Sequence, residues 1–196
     1  YMSFIRAAFL EETLKFLIII YYCLYLDEFN EPMDALVYGV AASIGFAVLE
    51  NWEYVISGSN VSLSLAKDIA LIRAFTAVPL HALAGVFMGF FLIEAIFEKQ
   101  NKKLFLFLAL FFPICLHGLY NLILMSDSFS SYWIYILLIT FLIRAYFVFK
   151  KERGLQITRE KEKIKVIPIH SDIIFSITLS AVILFAVNYF INFALY

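Results

Sequence analysis

Six long apolar runs are the feature that most constrains how this chain folds. Each is about 20 residues long, which is the length an α-helix needs to cross the hydrocarbon core of a bilayer. Hydrophobic residues make up 63% of the 196-residue sequence and charged residues only 16%, whereas a soluble domain carries about 25% charged residues. The sequence therefore predicts an all-α fold, a polytopic helical bundle in a membrane. The predicted transmembrane helices are Phe4–Leu26, Ala35–Ile56, Ile69–Phe97, Leu104–Met125, Tyr132–Phe149 and Ile173–Leu195.

The distribution of basic residues divides the chain into three parts. Residues 1–149 form the predicted membrane core, residues 150–172 a basic linker, and residues 173–196 an additional C-terminal transmembrane helix. Cytoplasmic loops are enriched in lysine and arginine, so we expect the basic loops in the cytoplasm and both chain ends outside. The linker is typical of a solvated segment near lipid headgroups, and we expect no nucleic-acid partner. The basic residues on this side are Lys99, Lys102, Lys103, Lys150, Lys151, Arg153, Arg159, Lys161, Lys163 and Lys165.

The first predicted helix carries Glu11, Glu12 and Lys15 in its middle. A charge at mid-membrane costs about 2.5–3.5 kcal/mol on insertion scales, so such residues need a compensating role. Glu11 and Lys15 are spaced i, i+4 with the acid first, which favours an ion pair on one face of the helix. That pairing would leave Glu12 about 100° round the helix, so we expect one carboxylate of the two to reach another helix.

Polar residues on three further predicted helices fall at a similar depth in the membrane. Counted from the cytoplasmic helix ends at about 1.5 Å per residue, Glu50, His81 and His117 lie about 20–24 Å from the cytoplasmic side. Glu11 and Glu12 of the first helix lie at the same depth. This convergence predicts a catalytic or ion-handling site inside the membrane. The candidate catalytic residues are Glu11, Glu12, Glu50, His81, His117 and Asn121, with Lys15, Asn51 and Arg73 in supporting roles.

These residue types suit the hydrolysis of an amide. A buried carboxylate can act as a general base, and His117 and Asn121, at i, i+4, can both donate hydrogen bonds to an oxyanion. His81 shares a helix face with Gly85 and Gly89, which predicts that it lies where two helices press together. The position of Arg73 near a helix end fits either an interfacial residue or a residue at the mouth of the site.

Other chemistry remains open on the same residues. Two histidines and a carboxylate form a zinc site in many hydrolases, so Glu12, His81 and His117 are candidate metal ligands, whereas a purely glutamic mechanism requires no cofactor. Buried carboxylates and histidines also occur in proton- or ion-coupled transporters. A transporter would usually show an internal repeat with broken helices, and this sequence shows none. A non-catalytic membrane scaffold would leave the buried carboxylates without a role.

Four ordered motifs within roughly the first 125 residues resemble the PrsW family of intramembrane proteases. That family is related to the CAAX-prenyl endopeptidases and to bacteriocin-immunity membrane proteins. The four motifs together are specific, although no single one is. They are Phe9-Leu-Glu-Glu-x-Leu-Lys15, Asp34-Ala-Leu-Val-Tyr-Gly39 running into Gly45-Phe-Ala-x-Leu-Glu-Asn51, Arg73-Ala followed by His81-Ala-Leu-x-Gly85-x-x-x-Gly89, and Leu116-His-Gly-x-Tyr-Asn121.

The resemblance implies a polytopic helical fold and endoproteolysis within or beside the membrane. Its implied substrate is a single-pass membrane protein such as an anti-sigma factor, cut first (site-1 cleavage) on the extracytoplasmic side of a bacterial plasma membrane. Proteases of this family carry both glutamic and metalloprotease labels, so a divalent metal such as zinc is an open expectation. Family members usually have further membrane helices ahead of the glutamate pair, so we expect sequence upstream of Tyr1. The helix Ile173–Leu195 is not matched to the family's common part.

Overall fold

The computed structural model describes residues 2–98, 101–126, 129–156 and 170–194. Within these ranges the chain forms seven α-helices and one short 3-10 turn, with no strand. The all-helical fold predicted from the sequence is therefore confirmed. The helices are α1 (Met2–Tyr21), α2 (Pro32–Ser59), α3 (Leu63–Phe75), α4 (Ala77–Ile96), α5 (Lys102–Met125), α6 (Tyr132–Gln156) and α7 (His170–Ala194), and the 3-10 turn is Cys23–Tyr25.

Five helical segments of the described chain are long and apolar enough to cross a bilayer. Four of them lie in α2, α5, α6 and α7, and the fifth is Leu63–Ile96, which joins α3 and α4. The remaining long helix, α1, has 20 residues and contains the Glu11, Glu12 and Lys15 side chains. Its polar groups are accommodated by contacts with other helices, which are described below.

The predicted single helix Ile69–Phe97 is wrong in one respect, because it is interrupted at Thr76 (φ −124°, ψ −64°). Pro79, in the first turn of α4, has no N–H and its ring crowds the carbonyl four residues earlier, which ends α3 at Phe75. The segment between the predicted helices Ala35–Ile56 and Ile69–Phe97 is also shorter in the structure than predicted. The helices continue to Ser59 and resume at Leu63, where Ser62 Oγ accepts a hydrogen bond from the Leu65 N–H at 3.1 Å.

Glycines hold α2 and α4 together at backbone contact. A Cβ atom added at Gly85 would overlap the carbonyl of Gly39, and one at Gly89 would overlap the carbonyl of Ala35. Small residues permit such close helix approach in membranes. The predicted seam below His81 is therefore confirmed, and it fixes the position of His81 on α4 relative to Glu50 on α2.

The rest of the bundle surrounds this pair of helices. Helix α1 packs against α2 and α5, α5 packs against α4, and α7 covers α5 and touches α1. Helix α6 continues to Gln156, so the first residues of the predicted linker 150–172 are helical, whereas positions 157–169 lie outside the described residues. The arrangement places the polar residues of α1, α2, α4 and α5 in one region.

Candidate active site

Lys15 and Glu12 form an ion pair inside the bundle. Lys15 Nζ donates a hydrogen bond to Glu12 Oε1 at 2.7 Å, and both side chains are 0% exposed. Lys15 Nζ also donates to His81 Nδ1 at 2.8 Å and lies 5.4 Å from the centroid of the Phe46 ring. One buried lysine on α1 therefore connects a carboxylate of its own helix with a histidine of α4.

The predicted Glu11–Lys15 pair is wrong. The fully buried residues of α1 repeat every three or four positions and so share one helix face: Ala8, Glu12, Lys15, Phe16, Ile19 and Ile20. Residues at i, i+3 are neighbours on a helix just as residues at i, i+4 are. Glu12 shares the buried face with Lys15 and takes the contact, whereas Glu11 lies at its edge with a side chain that is 21% exposed.

His117 on α5 is held by the same carboxylate. Its Nδ1 lies 2.9 Å from Glu12 Oε1, and an ionised carboxylate only accepts hydrogen bonds. Nδ1 therefore carries the proton and donates it to Glu12. A neutral His117 then presents a lone pair at Nε2, which can accept a proton or bind a metal, whereas donation to an oxyanion from Nε2 requires the imidazolium form.

His81 has both ring nitrogens occupied. An ammonium group has no acceptor, so the contact with Lys15 makes His81 Nδ1 the acceptor. The ring proton then lies on Nε2, which donates to Glu50 Oε2 at 2.9 Å. The rings of His81 and His117 meet edge to face with centroids 5.0 Å apart.

Arg73 on α3 is buried and completes the network next to Glu50, which is partly exposed. Its guanidinium donates to Glu50 Oε2 at 2.8 Å and to Asn51 Oδ1 at 2.6 Å. The same group lies 4.2 Å from the centroid of the Tyr54 ring. The sequence left two roles open for Arg73, an interfacial residue or a residue at the mouth of the site. Its direct contact with the candidate catalytic carboxylate of Glu50 favours the second.

Glu11 has an oxygen without a protein partner. Its Oε2 is buried with no hydrogen bond from the described residues, and it lies 4.0 Å from His117 Nδ1. One donor atom from each of Glu11, His81 and His117 lies within 4.8 Å of the others. Carboxylate and imidazole donors suit zinc, so these residues fit a metal. Within the described chain the carboxylate of this group is Glu11, in place of the predicted Glu12.

Asn121 is the predicted site residue that the network does not include. It is half-buried on α5, and within the described part of the chain its side chain makes no hydrogen bond to the cluster. Sequence reasoning did not single out Thr76 and Tyr120, which are both buried and joined by a hydrogen bond of 3.0 Å from the tyrosine hydroxyl. Tyr120 stands between His117 and Asn121 in the fourth motif, which is a signal that was present in the sequence.

The cluster thus consists of two similar units. In each, one carboxylate accepts from a basic side chain and from a histidine, and Lys15 links the two units through His81. The free Oε2 of Glu11 and the Nε2 lone pair of a neutral His117 belong to neither set of internal bonds. An arrangement of this kind can take a proton from a water molecule or hold a cation.

Comparison with known proteins gives a consistent result. Residues 1–146 match the family described as PrsW family intramembrane metalloprotease. The chain is similar to "Protease PrsW" of Bacillus subtilis, with 40% identity over 139 residues (70% of this chain and 59% of the relative). It is also similar to "Protease PrsW" of Clostridioides difficile, with 35% identity over 145 residues (73% and 58%). The chain spans somewhat more than half the length of these relatives, and α7 lies beyond the matched residues. No solved structure matches the chain.

Proposed function

Because the chain belongs to the PrsW family of intramembrane metalloproteases, we propose that it is an endopeptidase that hydrolyses a peptide bond of a membrane-anchored protein. It is an integral membrane protein with an all-helical fold. The observation that carries the proposal is the buried Oε2 of Glu11, which has no partner in the described chain and adjoins the two histidines. A carboxylate oxygen without a bond to the protein is available to bind a water molecule.

The two adjacent glutamates have different roles in this proposal. Glu12 is already bonded to Lys15 and His117, so it orients the imidazole and its charge is balanced by the ammonium. Glu12 Oε2 also has no hydrogen bond in the described chain, but the Glu11 carboxylate is the one not hydrogen-bonded to Lys15 or His117, and it is 21% exposed. Glu11 is therefore assigned as the general base, which accepts a proton from a water molecule as the water oxygen attacks the peptide carbonyl. The resulting protonated Glu11 can then donate to the leaving amine.

The oxyanion needs donors at the same place. Asn121 is the available amide on α5, one turn beyond His117, and His117 becomes a second donor when it is protonated. His81 is fixed between Glu50 and Lys15, which suits a residue that supplies or relays a proton at the leaving group. Glu50, Asn51 and Arg73 keep that histidine in place.

Glu11, His81 and His117 are the residues that would hold a divalent metal such as zinc. A bound metal would act as a Lewis acid toward the carbonyl of the substrate. The proposal assigns no step to it, because the carboxylate and imidazole groups already provide base and donors. Glu12, predicted from the sequence as a ligand, is assigned to orienting His117.

The substrate proposed from the family resemblance is a single-pass membrane protein such as an anti-sigma factor, and the proposed location is a bacterial plasma membrane. A substrate helix keeps its carbonyls in internal hydrogen bonds, so the cleaved segment is expected to be extended or near a helix end. The proposed orientation follows the positive-inside rule: the basic loop between α4 and α5 would lie in the cytoplasm, and the cluster would then lie in the outer half of the membrane.

Cleavage of single-pass substrates by the purified protein in lipid tests this proposal. Replacing Glu11 with Gln removes the base while keeping size, and we expect the cleavage rate to fall at least about a hundredfold. Glu53→Gln is the matched control, since Glu53 lies exposed on α2 and its replacement should leave the rate unchanged. Retained cleavage in Glu11→Gln would remove this residue from the chemistry. Loss of cleavage on addition of a chelator would assign the reaction a metal; unchanged cleavage would assign it to the carboxylates.

A further inference from the structure

The ammonium of Lys15 contacts a ring nitrogen of His81, one of the three candidate metal ligands. Lys15 Nζ is 2.7 Å from Glu12 Oε1 and 2.8 Å from His81 Nδ1. A carboxylate oxygen and an imidazole nitrogen with a lone pair are the two donor types that zinc takes most often besides cysteine. The lysine side chain is fully buried.

Only one nitrogen of His81, Nδ1, has a lone pair that can bind a cation. Nε2 carries the ring proton and donates to Glu50 Oε2 at 2.9 Å, so a metal at that atom would have to displace both a proton and a hydrogen bond. Nδ1 already presents its lone pair to a positive charge. A metal that uses His81 together with Glu11 and His117 would therefore use Nδ1, which is the atom that Lys15 occupies.

We propose that Lys15 is a tethered cation that alternates with a divalent metal at His81 Nδ1. The inference rests on the metal site of the proposed function and deepens it. When no metal is bound, the ammonium saturates His81 and balances the charge of Glu12. When a metal binds, the ammonium moves away from Nδ1, which the flexible four-carbon stem of lysine allows.

The contacts of the two basic residues in the cluster help to test whether the Lys15 ammonium and a divalent metal exclude each other. Three carboxylates, of Glu11, Glu12 and Glu50, face two permanent cations, Lys15 and Arg73. Arg73 belongs to the same cluster and contributes the same charge, but its nitrogens contact Glu50 and Asn51 and do not reach His81 Nδ1 in the described contacts. The two basic residues therefore separate the effect of occupying a donor atom from the effect of charge alone.

Binding of Co²⁺ and Zn²⁺ to the purified full chain in lipid tests the inference. The visible absorption of Co²⁺ reports its ligands without any need for activity, and competition with Zn²⁺ gives the zinc affinity. We expect Lys15→Met to raise the affinity about tenfold or more, as for removal of a competing hydrogen bond to a charged group. Arg73→Met removes the same charge without freeing His81 Nδ1, and it should raise the affinity by less than Lys15→Met does. Adding His81→Gln to Lys15→Met should abolish the absorption.

Equal affinity in wild type and Lys15→Met would overturn the inference, as would an equal gain in Arg73→Met or a signal that survives His81→Gln. Removing the ammonium leaves Glu12 with one hydrogen-bond donor, so Lys15→Gln serves as a second variant that keeps donors but no charge. It should bind more tightly than wild type, and failure to do so in a folded Lys15→Gln protein also overturns the inference. A protein that shows the expected binding pattern but cuts no membrane substrate would uphold the inference and overturn the proposed function.

Discussion

Two parts of the cluster use the same chemistry in different surroundings. The buried unit consists of Glu12, Lys15 and His117, and the peripheral unit consists of Glu50, Arg73 and His81. In each unit a carboxylate oxygen accepts from a basic group and from an imidazole, at 2.7 and 2.9 Å in the buried unit and at 2.8 and 2.9 Å in the peripheral unit. The carboxylate is 0% exposed in the first and 22% exposed in the second.

The two units have similar hydrogen-bond lengths, but their different exposure suggests different roles. Charges in the buried unit have no contact with the surroundings of the bundle, so each depends on its protein partners. The peripheral unit is partly exposed at Glu50, whereas Arg73 and His81 are buried. We interpret the buried unit as the part that fixes geometry and the peripheral unit as the part that adjusts to an incoming chain, with Lys15 connecting them.

Replacing the carboxylate of each unit with its amide should lower the free energy of unfolding by different amounts. Glu12→Gln leaves Lys15 with an uncompensated buried charge, so the free energy of unfolding should fall by about 3–5 kcal/mol. Glu50→Gln affects a partly exposed pair and should cost about 1 kcal/mol or less. Unfolding of the purified proteins by SDS in mixed micelles measures both. Equal losses would show that burial does not distinguish the units.

Widening the glycine contact between α2 and α4 should disturb the peripheral unit and leave the buried unit intact. A methyl group at Gly85 would overlap the Gly39 carbonyl, so Gly85→Ala should push α2 and α4 apart and cost about 1–3 kcal/mol. The shift would separate Glu50 from His81 but leave the contact between Glu12 and His117, which joins α1 and α5. Gly118→Ala is the control, since a Cβ at Gly118 meets no atom within 4 Å. Measured stability and cleavage should both be unchanged in the control, and a loss there equal to that in Gly85→Ala would contradict the assignment.

The sequence predicted the membrane helices and the convergence of the site because both follow from spacing along one helix at a time. Apolar length gives the helices, and the common depth of Glu12, Glu50, His81 and His117 follows from the rise per residue. These residues do meet in the structure. The glycine seam below His81 was predicted for the same reason, since it depends on small residues at i+4 and i+8.

The partners within the cluster were not predictable in the same way. Lys15 has a glutamate on its own face at both i−3 and i−4, and the choice of Glu12 depends on which face of α1 is buried by α2 and α5. The break at Thr76 had a local signal in Pro79, but a proline in an apolar run also occurs within helices: Pro113 lies inside α5. Thr76 and Arg73 at this break contact Tyr120, Glu50 and Asn51 on other helices, which the local sequence does not show.

Arg73→Lys should change the free energy of unfolding least of these variants, and it tests how the peripheral unit works. Lysine keeps the charge but cannot contact Glu50 and Asn51 at once or stack on Tyr54 as the planar guanidinium does. We expect kcat/KM for a membrane substrate to fall about tenfold, equivalent to about 1.4 kcal/mol, with the free energy of unfolding nearly unchanged. Arg144→Lys, on the exposed face of α6, is the matched control and should retain full activity. If Arg73→Lys also kept full activity, charge alone would suffice at this position, and the peripheral unit would not need the fixed geometry that the buried unit has.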